Sequence, residues 1–153
     1  MNENSKEETF FVEFSVYGEP KSKERPRTVT KADRYGREKA HTYTPSKTKF
    51  YEQSVGLVYK SHYGTKKFGD GVPLRAEIDF YLEIPKRTAK GTKAKMLEKL
   101  VRPTKGKDVD NLEKSVLDGL NKIAYKDDSQ IVELIGRKFY SDKPRVDIRI
   151  TAL

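Results

Sequence analysis

The sequence has no cysteine at any of its 153 positions, which rules out disulfide staples and thiolate metal sites. It also has no apolar run approaching the roughly 20 residues that a membrane-spanning helix needs. The opening MNENSKEETF is polar and partly acidic, unlike the basic-then-apolar start of a secretory signal. Internal repeats and low-complexity tracts are lacking too. Hydrophobic residues make up only 35% of the chain against 36% charged, so any core is modest and the surface heavily charged. These absences leave a soluble, cytoplasmic protein with no membrane partner. At this length it is expected to be one domain spanning residues 1–153.

What the chain has in excess is positive charge, with a formal net charge of +9. The charge is not spread evenly. Residues 18–50 hold ten Lys/Arg against four Asp/Glu, and residues 86–107 hold nine against one, which leaves the rest of the chain net acidic. Two basic blocks on an acidic body suggest a surface for a polyanion, and solvated, solubilising loops are the plainer alternative.

TFFVEFSVYGEP, residues 9–20, is rich in aromatic and β-branched residues and predicts a buried first strand ending in a turn. Residues 18–45, with Arg25-Pro26-Arg27 and Pro45, read as a long basic loop. Ser46 opens a helix running to about Tyr63. Residues 73–85 alternate Ala76, Ile78, Phe80, Leu82 and Ile84 with polar neighbours, as a strand with one buried face does. A short helical stretch is expected over TKAKMLEKLV, residues 92–101. A second main helix spans Asn111 to about Ile123, with Leu112, Val116, Leu117, Leu120 and Ile123 on one face. QIVELIGRKFY and PRVDIRITAL close the chain as strands. The pattern predicts an α+β fold, a mixed β-sheet with two main α-helices.

Four aspartates frame that second helix in KGKDVDNLEKSVLDGLNKIAYKDDSQIVE: Asp108, Asp110, Asp127 and Asp128. Asp108 and Asp110, two apart on an extended stretch, point to the same side. Asp110 with Glu113 also has the spacing of a capping box, and Asp127-Asp128 has the composition of a turn, so each pair alone has a structural explanation. Twelve helical residues separate the pairs by roughly 18 Å along the axis, so spacing alone does not bring them together. If they do meet, carboxylate oxygens without thiols suit Mg²⁺ or Mn²⁺. Asp110, Lys114 and Asp118 recur every four residues, which geometry explains as an ordinary ion-pair stripe.

The segment DVDNLEKSVLDGLNKIAYKDDSQIVEL, residues 108–134, resembles the signature of the RusA-type Holliday junction resolvases, small endodeoxyribonucleases common in prophages and bacteriophages. The family pattern runs Asp-x-Asp-Asn-Leu-x-Lys, an apolar-faced helix with an Asp-[Gly/Ala]-Leu step, then Asp-Asp-x-Gln-[Val/Ile]-Val, and every element is present in order. GEPKSKERPR and TYTPSKTKFYE resemble the basic loop and following helix of the phage branch. The resemblance implies that Asp108, Asp110 and Asp128 are catalytic, metal-binding carboxylates, that Lys114 is needed for cleavage, and that Asp127 matches the neighbouring aspartate. Residues 33–39 are an insertion without a counterpart in the pattern.

On that resemblance the cofactor is Mg²⁺, with Mn²⁺ able to substitute, and the substrate is branched DNA such as a four-way junction. The ion would orient a water for in-line attack on phosphorus. Lys114 would offset charge developing on the phosphate. Lys21, Lys23, Arg25, Arg27, Lys105 and Lys107 are the expected DNA-binding residues. Paired symmetric nicks need two active sites, which implies a homodimer. The competing readings are a metal nuclease for other branched DNA, such as flaps or forks, and a non-catalytic DNA-binding protein of the same fold.

Overall fold

A computed structural model describes residues 10–153. The elements in order are β1 (Phe11–Tyr17), β2 (Arg27–Ala32), β3 (Glu38–Tyr43), α1 (Ser46–Tyr63), β4 (Leu74–Glu83), α2 (Lys90–Leu97), α3 (Val109–Leu120), a 3-10 turn (Asp128–Gln130), β5 (Ile131–Ser141) and β6 (Arg145–Ala152). The expected α+β class is observed. Four strands form one mixed sheet in the order β1-β6-β4-β5, and β2 and β3 form a separate hairpin. Strand β6 lies antiparallel to both neighbours, whereas β4 and β5 run parallel.

The register aligns one apolar face. Val12, Phe14 and Val16 of β1 sit opposite Ile150, Ile148 and Val146 of β6, which sit opposite Ala76, Ile78 and Phe80 of β4. All nine are buried, and Val55 and Tyr59 of α1 with Leu112, Val116 and Leu120 of α3 cover them. The period of two in the strands and of 3.6 in α3 is therefore the pattern of a single core.

Two glycines set how closely the helices cross. A Cβ on Gly119 would lie 2.7 Å from the Glu52 carbonyl oxygen, and one on Gly56 would lie 2.7 Å from Ile123 Cδ1. Helix α3 can thus press against α1 and hold its first turn beside the β5 edge. Because β4 and β5 are parallel, the chain must cross over between them, and α2 and α3 make that crossover. Among the described residues, no helix is long and apolar enough to cross a membrane.

Several expectations need correction. The first strand is an edge strand with one buried face, ending at Tyr17, and Thr9 at its expected start lies outside the described residues. The expected loop over residues 18–45 contains the β2–β3 hairpin. Its strands bury no complete face, so they carry no hydrophobic alternation to read. The short helix spans Lys90–Leu97 and gives way to Lys99 at φ 64, a left-handed residue that ends it before residue 101. Helix α3 begins at Val109, so Asp110 is a helical residue in its first turn, neither the cap nor part of an extended stretch.

Candidate active site

The residue preceding α3 is Asp108, in extended geometry (φ −75°, ψ 139°), and its side chain makes no capping hydrogen bond. Its backbone carbonyl accepts from Leu112 N (3.1 Å), while its carboxylate is left to solvent. Asp110 follows in the first turn, where unpaired N–H groups and the helix dipole favour a negative charge. The expected Asp110–Glu113 capping box is not formed. Glu113 instead points toward β5, where a Cβ built on Gly136 would overlap its carboxylate. Partial burial, then the nearby Asp110 charge, raise the Glu113 pKa above the ordinary carboxylate value. An acid beside the Asp108–Asp110 pair thus stands where spacing had suggested only a cap.

A strap formed by residues 18–24 holds this region from the outside. The Lys107 ammonium reaches Glu19 Oε1 (3.2 Å) and the Pro20 carbonyl. Lys23 N donates to the Asn111 carbonyl (2.9 Å), and Glu24 N donates to Thr48 Oγ1 (3.2 Å) on α1. The buried Ser115 hydroxyl lies 2.7 Å from the Lys21 carbonyl and 2.8 Å from the Leu112 carbonyl, and its one proton serves either. Lys23 Nζ bridges Glu52 on α1 and Asp118 on α3, the latter at 3.0 Å. Burial disfavours that ammonium, yet the hydrogen bonds to Glu52 and Asp118 outweigh it and raise its pKa.

Of the basic residues named from sequence, Lys23 and Lys107 therefore have carboxylate partners within the fold. Lys21, Arg25 and Lys105 are exposed, and exposed Arg27 stands 3.7 Å from Glu24. The expected Asp110–Lys114–Asp118 ion-pair stripe is absent. Asp118 pairs with Lys23, and Lys114 is exposed with no ion pair among the described residues.

The second acidic pair sits after α3. Tyr125, fully buried, donates through its hydroxyl to the Leu117 carbonyl (2.7 Å), which turns the chain back along the helix. Asp127 caps the 3-10 turn: its Oδ1 accepts from Ser129 N (3.1 Å), while Gln130 Oε1 accepts from Asp127 N (3.3 Å) and Lys126 N (3.1 Å). Gln130, 9% exposed, also donates through Nε2 to the carbonyls of Gly69 (2.9 Å) and Val72 (3.1 Å). The capping box of this protein is Asp127–Gln130.

Those bonds, chiefly from Ser129, hold the Asp127 carboxyl below its usual pKa. Asp128 is shifted the other way, by burial and by the charges of Asp127 and Asp118. The turn thus returns Asp128 to the neighbourhood of Asp118, in the last turn of α3. Among the described residues, no three His, Cys, Asp or Glu side chains stand together as a ready metal cage.

The donor chemistry nonetheless suits a hard cation. Asp108, Asp110 and Asp128 are exposed carboxylates, and none is in an ion pair with a basic side chain among the described residues, despite the +9 net charge. Mg²⁺ commonly takes one or two carboxylates and completes its shell with water and substrate phosphate oxygens, so an open carboxylate pair at a helix start meets its needs.

Carboxylates and a lysine exposed at one helix start, on a basic body, are side chains whose chemistry suits phosphodiester cleavage. The family model described as Endodeoxyribonuclease RusA matches residues 17–151, and the chain belongs to that family. It is an endodeoxyribonuclease. It is 40% identical over 141 residues to the Uncharacterized protein YqaN of Bacillus subtilis (strain 168), covering 91% of this chain and 94% of that protein. It is 36% identical over 85 residues to the Crossover junction endodeoxyribonuclease rusA of Lactococcus phage r1t, covering 55% of this chain and 58% of the phage protein.

Proposed function

We propose that the protein resolves four-way DNA junctions by Mg²⁺-dependent phosphodiester hydrolysis, with Mn²⁺ able to replace Mg²⁺. The observation that carries this reading is the exposed, unneutralised Asp108–Asp110 pair at the start of α3, one helical turn from the exposed ammonium of Lys114. Asp108 and Asp110 would hold the ion, Asp128 is the third carboxylate assigned to it from the family pattern, and the bound ion would supply Lewis acidity at the scissile phosphate and a more acidic water. Lys114 sets its positive charge against the negative charge that builds on the phosphate during attack. Lys21, Arg25, Arg27 and Lys105 hold neighbouring phosphates. Lys23 and Lys107 keep the strap against α3 and so place the others. Asp127 keeps Asp128 in position through its cap.

Symmetric paired nicks need two such sites, and a twofold homodimer supplies them. The free edge of β5, with Val132 60%, Leu134 42% and Ile135 37% exposed, supports a place for the second copy.

The decisive experiment compares a labelled four-way junction with a linear duplex of the same sequence, in Mg²⁺ and in EDTA. Paired nicks confined to the junction and to Mg²⁺ are expected. Equal cleavage of flaps, forks or duplex would change the substrate, and tight binding without cleavage in Mg²⁺ or Mn²⁺ would leave a DNA-binding protein. Sedimentation of the wild type and of Leu134→Lys tests the dimer: a wild-type monomer that still makes paired nicks would remove the twofold argument.

A further inference from the structure

The β2–β3 hairpin stands apart from the main sheet as a two-stranded ribbon, and every residue of its strands except Val29 is exposed. An exposed ribbon with no core to bury has to be justified by something other than packing. Its register pairs Arg27 with Tyr43, Val29 with His41 and Lys31 with Lys39. The alternating pairs are Thr28 with Thr42, Thr30 with Ala40 and Ala32 with Glu38.

Because side chains alternate between faces, the ribbon is two-sided in chemistry. One face carries Arg27, half-buried Val29, Lys31, Lys39, His41 and Tyr43. The other carries small and neutral side chains with a single acid, and its Thr28 and Thr42 hydroxyls are hydrogen-bonded at 2.9 Å. Solubility alone would not sort the cations onto one side.

The Lys31–Lys39 pair is the sharper sign. Like charges directly opposite in an antiparallel ladder repel and destabilise it. The ribbon tolerates that repulsion beside a turn built with care. Asp33 accepts through Oδ1 from Tyr35 N (2.8 Å) and Arg37 N (3.0 Å), and through Oδ2 from Arg37 Nε (3.0 Å). Asp33 N also donates to the Arg37 carbonyl (2.8 Å), and Gly36 takes φ 76 to close the turn. The Arg37 guanidinium then lies 5.2 Å from the Tyr35 ring, which is 73% exposed at the tip. A stiff arm with a repelling pair of lysines is preorganised for an anion bridging the two.

We propose that the β2–β3 ribbon is a DNA-gripping arm whose Lys31–Lys39 pair binds backbone phosphates beyond those held by Arg27. The inference rests on the nuclease reading above and adds to it a second contact surface. Dimensions agree: six-residue strands extend for about 20 Å with about 4.8 Å between strands, and the DNA major groove, about 12 Å wide, admits such a ribbon. The charge of phosphate matches one face only, so the arm lies on DNA in one orientation.

The test uses the full chain with Lys31→Gln and Lys39→Gln combined, beside Thr30→Gln with Ala40→Gln on the opposite face as control. Junction affinity is measured from 50 to 200 mM salt, and cleavage is measured at saturating DNA. The lysine double variant is expected to bind about tenfold more weakly, and two lost phosphate contacts should reduce the salt slope by about 2. Its cleavage rate at saturation should match wild type, and its Tm should equal or exceed wild type because the repulsion is gone. The control should bind as wild type does. An unchanged slope in the lysine variant, or an equal loss in the control, overturns the proposal. Binding is read without metal, so a wild type that binds but never cleaves would sink the nuclease reading while the arm is still judged on its own slope.

Discussion

The start of α3 and the turn ahead of β5 are made from the same materials, two acids followed by a helical turn, and they use them oppositely. At the turn, Asp127 gives its carboxylate to Ser129 N, and Gln130 returns the bond to Asp127 N. At α3, Asp108 makes no capping bond and Asp110 lies two residues further on, past the cap position. A carboxylate that satisfies the backbone is fixed in place, and its donors hold it in the charged form. One that does not remains available to an ion or a substrate. The comparison separates a structural aspartate from a chemical one by where its oxygens go, and the two share a residue type, a charge and a similar context.

Breaking the α3 pair should have the largest effect. Asp110→Asn is expected to lower junction cleavage by more than about 100-fold, since even supporting residues around metal sites cost 10–100-fold. Junction binding should be unchanged or tighter, because a negative charge facing DNA is removed. A gel assay showing wild-type cleavage by this variant would end the assignment of that pair.

Breaking the turn should act on stability instead. Gln130→Ala removes bonds to Lys126, Asp127, Gly69 and Val72, and leaving those partly buried groups unpaired should cost about 1–3 kcal/mol in denaturant unfolding. A loss well below that range would mean the turn is held by its neighbours. Activity measured well below the melting temperature should fall far less than in Asp110→Asn.

The smallest and most discriminating effect concerns the adjacent aspartates. Asp127 has a lowered folded pKa, so its contribution to stability is present above the unfolded aspartate value and is lost as pH falls through the folded value. Asp128 has a raised folded pKa, so ionising it works against the fold as pH rises through that value. At neutral pH, Asp127→Ala should lower Tm and Asp128→Asn should raise it by a few degrees or less, and both differences should shrink in acid. Parallel shifts of the same sign in a Tm–pH series would show that the two carboxylates are not distinguished in the way their hydrogen bonds indicate.

The core was legible because it is written in two periods, in β4 at every second residue and in α3 along one face. The hairpin was not, because Arg27–Ala32 and Glu38–Tyr43 bury no complete side and leave only charge to read. The cap was misplaced by two residues because Asp108 and Asp110 both fit the composition, and only the backbone angles choose between them. Lys23 and Lys107 counted as free positive charge in the sequence, yet their partners Glu52, Asp118 and Glu19 are brought to them only by folding. The carboxylates were singled out by pattern. Their separation into a capped residue and open ones needed the hydrogen bonds.

Strand β6 covers residues 145–152 yet lies in the interior of the sheet, between β1 and β4. During synthesis, β1 and β4 leave the ribosome long before the strand that must join them. A product that terminates before Arg145 carries every one of the acids from Asp108 to Asp128 but lacks the central strand of the floor on which α3 rests. The floor under α3 therefore closes only once β6 is in place, however early the acids themselves are made.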